Sequence, residues 1–387
     1  DDIMQAALNN YKLNFMQMLE GNSSRANMFV GAFIGGDHWA DIVAQMDEMG
    51  KVTKQQLVDF ANQYFGDNYA LVYKRQGKDL NEKKMDKPAI TPIVMNRDSS
   101  SLFLREIQAN AASVTPIEPV FLDFSKDMQQ FTAKSNIPVL YKENTTNDVF
   151  SMLYVFEMGT GNDKALGTAC DYLSYLGTSK KSLQEINMEF YKLACNYSVF
   201  PGTDRTYVTI SGLSENMAAA VQLFEELLAD AQVNKDAYVN LANDIMKERA
   251  DSKLNQGANF NHLLQYAIWG SDSPTTHILS SGELQQMDPQ ALVDCIHNLC
   301  KYEHKILYYG PMKQNELLDV ISQYHQVPET LLPVPEGANF KMQETNESKV
   351  YFAQYDAKQI YFSAVSNRGE KFDSAIQPEL VMYNEYF

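Results

Sequence analysis

Laid over itself with an offset of 235 residues, this sequence matches without a gap through roughly its first 75 residues, and that self-similarity limits the architectures open to it. Lys12 meets Lys247, Leu19 meets Leu254, Ala32 meets Ala267, Gly35 meets Gly270 and Asp37 meets Asp272. Further on, Gln55, Leu57, Val58 and Asp59 meet Gln290, Leu292, Val293 and Asp294, and Tyr73 meets Tyr308. The identities are sparse, but architecture repeats with them. Thr53 and Asp288 both stand as helix N-caps, and the apolar run at 70–74 falls on 305–309. The chain is therefore expected to consist of related modules. Residues 1–77 read as the rear of one, 120–327 as a complete one and 340–387 as the front of a further one, so the sequence reads as a fragment that cuts through elements at both ends.

Between them, 78–119 shifts to Lys, Asp and Ser with Pro88, Pro92, Pro116 and Pro119 and one amphipathic island at 102–107, the composition of an interdomain linker. A shorter linker, 328–339, carries Pro328, Pro333, Pro335 and Gly337.

The complete module is organised around 159–213. A strand-like run at 149–158 breaks at Gly159-Thr160-Gly161, a short helical segment follows, and Ser182 with Glu185 forms a capping box for a second helix. Two strands then flank Pro201-Gly202-Thr203-Asp204. Upstream, 137–141 and 149–158 around the polar run 143–147 predict a hairpin. Downstream, Ser214 opens a helix with Met217, Ala220, Val221, Phe224 and Leu227 on one face, helices continue to Cys300, and a strand at 305–309 and a helix at 315–324 close the module. The leading part predicts helices to about 21, at 23–34, near 38–49 and from Thr53, then a strand at 68–74. The tail predicts strands at 350–355 and 359–365 and a helix from Pro378. The fold class is α+β: duplicated modules, each a twisted, mostly antiparallel sheet packed against helices.

Composition narrows function. A net charge of -17 lacks the clustered Lys and Arg that nucleic acid and anionic membranes require. No run of about 18 apolar residues predicts a membrane span. Four cysteines, Cys170, Cys195, Cys295 and Cys300, are too few for a disulfide scaffold and leave the compartment open between periplasm and cytoplasm.

The order strand, glycine turn, short helix, Tyr175-Leu176-Gly177-Thr178, helix capped by Ser182 and Glu185, hairpin and long helix resembles the insulinase/pitrilysin-like zinc metallopeptidases, the inverzincins. Those proteins carry H-x-x-E-H on the short helix. Here the box positions read Thr168-Ala169-Cys170-Asp171-Tyr172. Zinc chemistry needs imidazoles one helical turn apart, a third ligand and a carboxylate to take a proton from bound water. Thr168 and Tyr172 do not replace imidazoles. Asp171 keeps a carboxylate at the base position, and Asp244 falls at about the spacing of the family's distal Glu ligand. The resemblance implies no metal, cofactor or catalytic residue in this chain, with zinc in an upstream catalytic module. It further implies domain-two, domain-three and domain-four character for the three pieces, and a closed chamber that hydrolyses peptides or small proteins. The partner would be the other half of the same polypeptide or a catalytic subunit. The alternative is a non-enzymatic family member acting as a structural or partner subunit that binds peptide or protein.

Cys295, His297 and Cys300 have metal-type side chains, but Leu292, Cys295, Ile296 and Leu299 form an apolar stripe that makes the cysteines core residues. His38, His262, His277, His304 and His325 show no ligand spacing and no dyad with Ser or Cys. Surface or capping roles are expected of them.

Overall fold

The computed structural model describes residues 2–77, 85–93, 99–356, 359–369 and 371–386; part of the expected linker 78–119 therefore lies outside the described residues. These fall into two compact units, Val52–Asp127 and Asp1–Lys51 with Met128–Phe387.

The leading helices are α1 (Asp2–Glu20), α2 (Asn22–Gly35) and α3 (Trp39–Met49). The smaller unit holds α4 (Lys54–Tyr64), α5 (Leu102–Ser113) and α6 (Phe124–Asp127). Thr53 and Gln56 close a capping box on α4, and Ser101 caps α5. The run 68–74 is irregular and joins no ladder among the described residues. Its β-propensity goes unused because a strand is stabilised by its cross-strand neighbours, and among the described residues none pairs with it.

The main unit is built on strands β1 (Gln129–Thr132), β2 (Pro138–Glu143), β3 (Val149–Phe156), β4 (Cys195–Pro201), β5 (Thr206–Leu213) and β6 (His304–Gly310). They form one sheet in the order β1-β2-β6-β3-β5-β4. All pairs are antiparallel except β2 with β6. The chain is α+β with a mostly antiparallel sheet, as its elements predict. The expected β2–β3 hairpin is not made: β6 inserts between those strands, parallel to β2 and antiparallel to β3. Asn144 explains the wide crossing. Its side chain accepts from Thr146 N at 2.9 Å and donates to Val149 O at 3.0 Å, while its backbone N–H reaches Gly310 O at 2.8 Å. That turn spans a strand's width and ties both neighbours to the end of β6.

Between the strands run α7 (Leu166–Leu173), α8 (Leu183–Leu193), α9 (Met217–Asp230), α10 (Lys235–Ser252), α11 (Gln256–Trp269), α12 (Ser281–Gln286) and α13 (Pro289–Leu299); α14 (Gln314–Tyr324) and α15 (Gln377–Tyr386) follow. Ser214 opens a short 3-10 turn, and the helix proper starts at Met217. Alternate strand residues supply the core face: Val139 and Tyr141, Ile306 and Tyr308, Met152, Tyr154 and Phe156, Val208 and Ile210. Against it pack Val221, Phe224 and Leu228 of α9, Leu292 and Ile296 of α13, and Leu317 and Ile321 of α14. This one-sided helical cover is a two-layer design whose strands alternate because one face is buried.

The 235-residue offset recurs in the helices. α4 and α13 superpose on the sequence residue for residue, α2 and α11 agree within a residue, and α1 and α10 agree within about three. The tail departs from expectation. Thr345 N donates to Asn367 O at 2.6 Å and Asn367 N to Thr345 Oγ1 at 2.8 Å, so 350–355 and 359–365 begin as two legs of a hairpin. No ladder forms among their described residues. Instead Tyr351 and Tyr361 turn onto Tyr266 and Phe260 of α11, with ring centroids 5.7 and 5.5 Å apart. Helix contacts replace the cross-strand contacts the alternation predicts. The helix expected from Pro378 is present as α15.

Candidate functional site

The short helix that carries the box positions is positioned by glycine. Thr160 N and Gly161 N donate to Gly202 O and Thr203 O, each at 2.8 Å, so the end of β3 lies against the β4–β5 turn backbone to backbone. A Cβ on Gly159 would collide with the carbonyl oxygens of Gly202 and Thr203, which is why the strand must end in glycine.

On α7, Tyr172 is fully buried, and its hydroxyl donates to Asn234 O at 2.7 Å while accepting from Asn234 N at 2.9 Å. Its ring meets Tyr238 edge-on at 5.7 Å. The side chain in the second histidine position thus bolts α7 to the start of α10. Thr168 is half-buried one turn earlier. Asp171 is surface-exposed, yet partial desolvation and the negative charge of Glu248 on α10 hold its carboxyl above the ordinary range. Asp244, one turn before Glu248, is exposed and makes no hydrogen bond or ion pair among the described residues. The charge of Glu248 on α10 acts on Asp171, and among the described residues neither Asp171 nor Asp244 belongs to a group of three or more His, Cys, Asp or Glu side chains placed to hold a metal ion. Tyr172→Phe is expected to cost about 1–3 kcal/mol, because it strands both backbone groups of Asn234. Urea unfolding compared with wild type measures this, and an unchanged midpoint would show the bolt carries no stability.

Asp171 borders a cleft of about 570 Å³ that also takes in Asn187 and Tyr191 of α8 and Asn196 and Tyr197 of β4. β4 is the last strand of the sheet, with Asn196, Ser198 and Phe200 exposed. An open ladder edge therefore lies beside the helix that carries the box positions.

Cys295, His297 and Cys300 do not converge. Cys295 Sγ lies 3.7 Å from Asp163 Oδ2, whereas Cys300 is buried beside Glu225, whose charge adds to burial in raising its thiol. His297 Nε2 is buried with no hydrogen-bond partner among the described residues.

His304 and His325, expected at the surface or in caps, lie in the core instead. His304 and His325 are both buried and bonded to each other, Nε2 to Nε2, at 2.9 Å. His304 Nδ1 reaches Tyr302 O at 2.7 Å, and His325 Nδ1 reaches Glu225 Oε1 at 2.7 Å. Glu225 Oε1 also accepts from Tyr154 OH at 2.8 Å, and Oε2 accepts from Gln326 N at 3.0 Å. Burial and the charge of Glu225 push the Tyr154 phenol well above its usual range, while burial and His325 pull His304 down to about 4. One signal was legible beforehand: Glu225 stands four residues after Val221, on the apolar face of α9, where an acid is buried only with partners. Those partners lie 71 and 100 residues away, beyond any local pattern. On the outer side, His304 lines a second cleft, of about 450 Å³, with Glu157, Glu303, Lys305 and Glu329.

With that geometry in hand, the chain can be set beside known proteins. No protein-family profile and no curated protein sequence matches it. Solved structures do. The periplasmic protease PqqL from Escherichia coli aligns with a TM-score of 0.50 at 13% identity, over 78% of this chain and 32% of its own. A peptidase M16 inactive domain from Pseudomonas fluorescens aligns at 0.46 and 16% identity, over 56% and 53%. The ferredoxin protease FusC, solved with Arabidopsis ferredoxin, aligns at 0.49 and 12% identity, over 62% and 30%. One of these is described as an M16 peptidase inactive domain and two as proteases, and the likeness is one of fold. The chain spans 30–53% of these three proteins. Among the described residues no helix is long and apolar enough to cross a membrane.

Proposed function

We propose that this chain is the non-catalytic, substrate-enclosing portion of a zinc-dependent endopeptidase of the insulinase/pitrilysin type. The observation that supports this reading is Tyr172: at the second box position that the resemblance assigns on α7 stands a buried phenol committed to Asn234. Zinc and the H-x-x-E-H box belong to a catalytic module elsewhere in the polypeptide or on a partner subunit. Residues 1–77, 120–327 and 340–387 are then parts of three homologous domains, joined by 78–119 and 328–339. The cleft beside Asp171 and the open edge of β4 give the enclosing wall a place where an extended peptide pairs by strand addition.

Two measurements test this. The chain, equilibrated with zinc and desalted, is expected to retain well under one ion per molecule and to show no chelator-sensitive peptide hydrolysis. Stoichiometric zinc with hydrolysis sinks the proposal. Translating the gene on either side of this segment is expected to reveal H-x-x-E-H. A gene without the box favours the structural or partner-subunit reading.

A further inference from the structure

The chain from Tyr302 O through His304 and His325 to Glu225 has three contacts, each short enough to need one proton. Tyr302 O only accepts, so His304 Nδ1 carries a hydrogen. The facing Nε2 atoms need one hydrogen between them, and His325 Nδ1 and Glu225 Oε1 need another. Two neutral imidazoles and a carboxylate supply two. Filling all three contacts therefore takes one hydrogen more than that.

The stoichiometry is strict. Removing a proton sets two lone pairs against each other at one of these contacts; adding one sets two N–H groups head to head across 2.9 Å. What the contacts hold is the exit from α14. Gln326 N is tied to Glu225, and the surface segment beyond it runs through Pro328 O (bonded by Ser135 Oγ, 2.6 Å), Leu332 (bonded to Lys301 O, 2.8 Å) and Pro335 O (bonded by Asn162 Nδ2, 2.7 Å).

We propose that Glu225, His325 and His304 form a protonation-dependent latch that fastens segment 326–339 to the sheet near neutral pH and releases it in acid. The groups that face it are few. Tyr154 from β3 and Cys300 from the end of α13 abut Glu225, and Phe156 stacks on His304 at 4.7 Å. In the cleft His304 is bordered by Glu303, Glu329, and Lys305, which is paired with Glu157. The sign follows from His304. Its proton affinity is depressed in the fold to about 4, so its contribution is complete above the ordinary imidazole value and is lost as pH falls toward about 4. Glu225, Cys300 and His325 also have ligand atoms within 4.8 Å of one another, and here the carboxylate oxygens and the ring nitrogens of His304 and His325 are taken up in hydrogen bonds.

Hydrogen exchange of the full chain at about pH 7 and about pH 4.5, corrected for intrinsic rates, tests the latch. Expected is a loss of protection of about tenfold or more in 326–339, with β3 and β5 retained, and a His304→Phe chain whose 326–339 protection no longer depends on pH. Loss spread equally over the sheet, or no loss, overturns the proposal. Should His304→Phe fail to fold, histidine side-chain nitrogen NMR on the unaltered chain decides: three shared protons are expected, and two neutral, singly protonated rings beside an ionised Glu225 overturn it. Titration with zinc at neutral pH provides the last arm. Uptake with a Cys300 thiolate signature would make the cluster a metal site instead.

Discussion

Glu225→Ala is expected to cost about 3–5 kcal/mol, the range for removing one partner of a buried ionisable pair. The carboxyl accepts from Tyr154 OH and Gln326 N and is hydrogen-bonded to His325 Nδ1, all around a buried position. Alanine leaves three polar groups without their partner, in a setting where each unsatisfied group costs about 1–3 kcal/mol. Glu225→Gln keeps an oxygen for Tyr154 and His325 but turns an amide N–H₂ toward Gln326 N–H, so its cost should fall between wild type and alanine. Urea unfolding read by circular dichroism orders the three proteins. A loss below about 1 kcal/mol for alanine means the network is an incidental product of burial.

Gly159→Ala is expected to cost about 3 kcal/mol, from overpacking together with the strain or loss of two backbone hydrogen bonds. The obstacle is not backbone dihedral preference but space: the new methyl meets the carbonyls of Gly202 and Thr203, neither of which can rotate away as a side chain can. Relief requires the β4–β5 turn to lift off, which opens the hydrogen bonds from Thr160 N and Gly161 N. Hydrogen exchange at those two amides should rise far more than at the centre of β3, and equal change at both sites would argue for general destabilisation rather than a displaced turn. Gly167→Ala, on the same short helix with Thr160 Cγ2 at an ordinary 3.5 Å, serves as the control and should be neutral or mildly stabilising.

Much of the module was legible locally. α7, α8, the β4–β5 hairpin and α9 follow from glycine breaks, the Ser182–Glu185 capping box and 3.6-residue apolar spacing, all set within a few residues. Local pattern places β2 beside β3, because the polar turn at 143–147 looks like a hairpin and the residues that intervene, 304–310, lie far along the chain. The strands expected at 68–74, 350–355 and 359–365 rest on apolar pattern and on likeness to the complete module, and neither makes a ladder without a neighbour. His304 and His325 have no ligand spacing in the sequence, because the partners that give them meaning are Glu225 and each other.

By itself, then, the sequence determined the repeat, the order of elements, and the residue types at 168, 171 and 172, since these are properties of local periodicity and chemical identity. Only the tertiary structure decided that Tyr172 is spent on Asn234, that β6 divides β2 from β3, and that a glutamate and two histidines are hydrogen-bonded to one another in the core. The physical reason is the same in each case. Strand pairing and the burial of polar groups take their energy from partners tens to hundreds of residues away, and no window on the chain contains both halves of such an interaction.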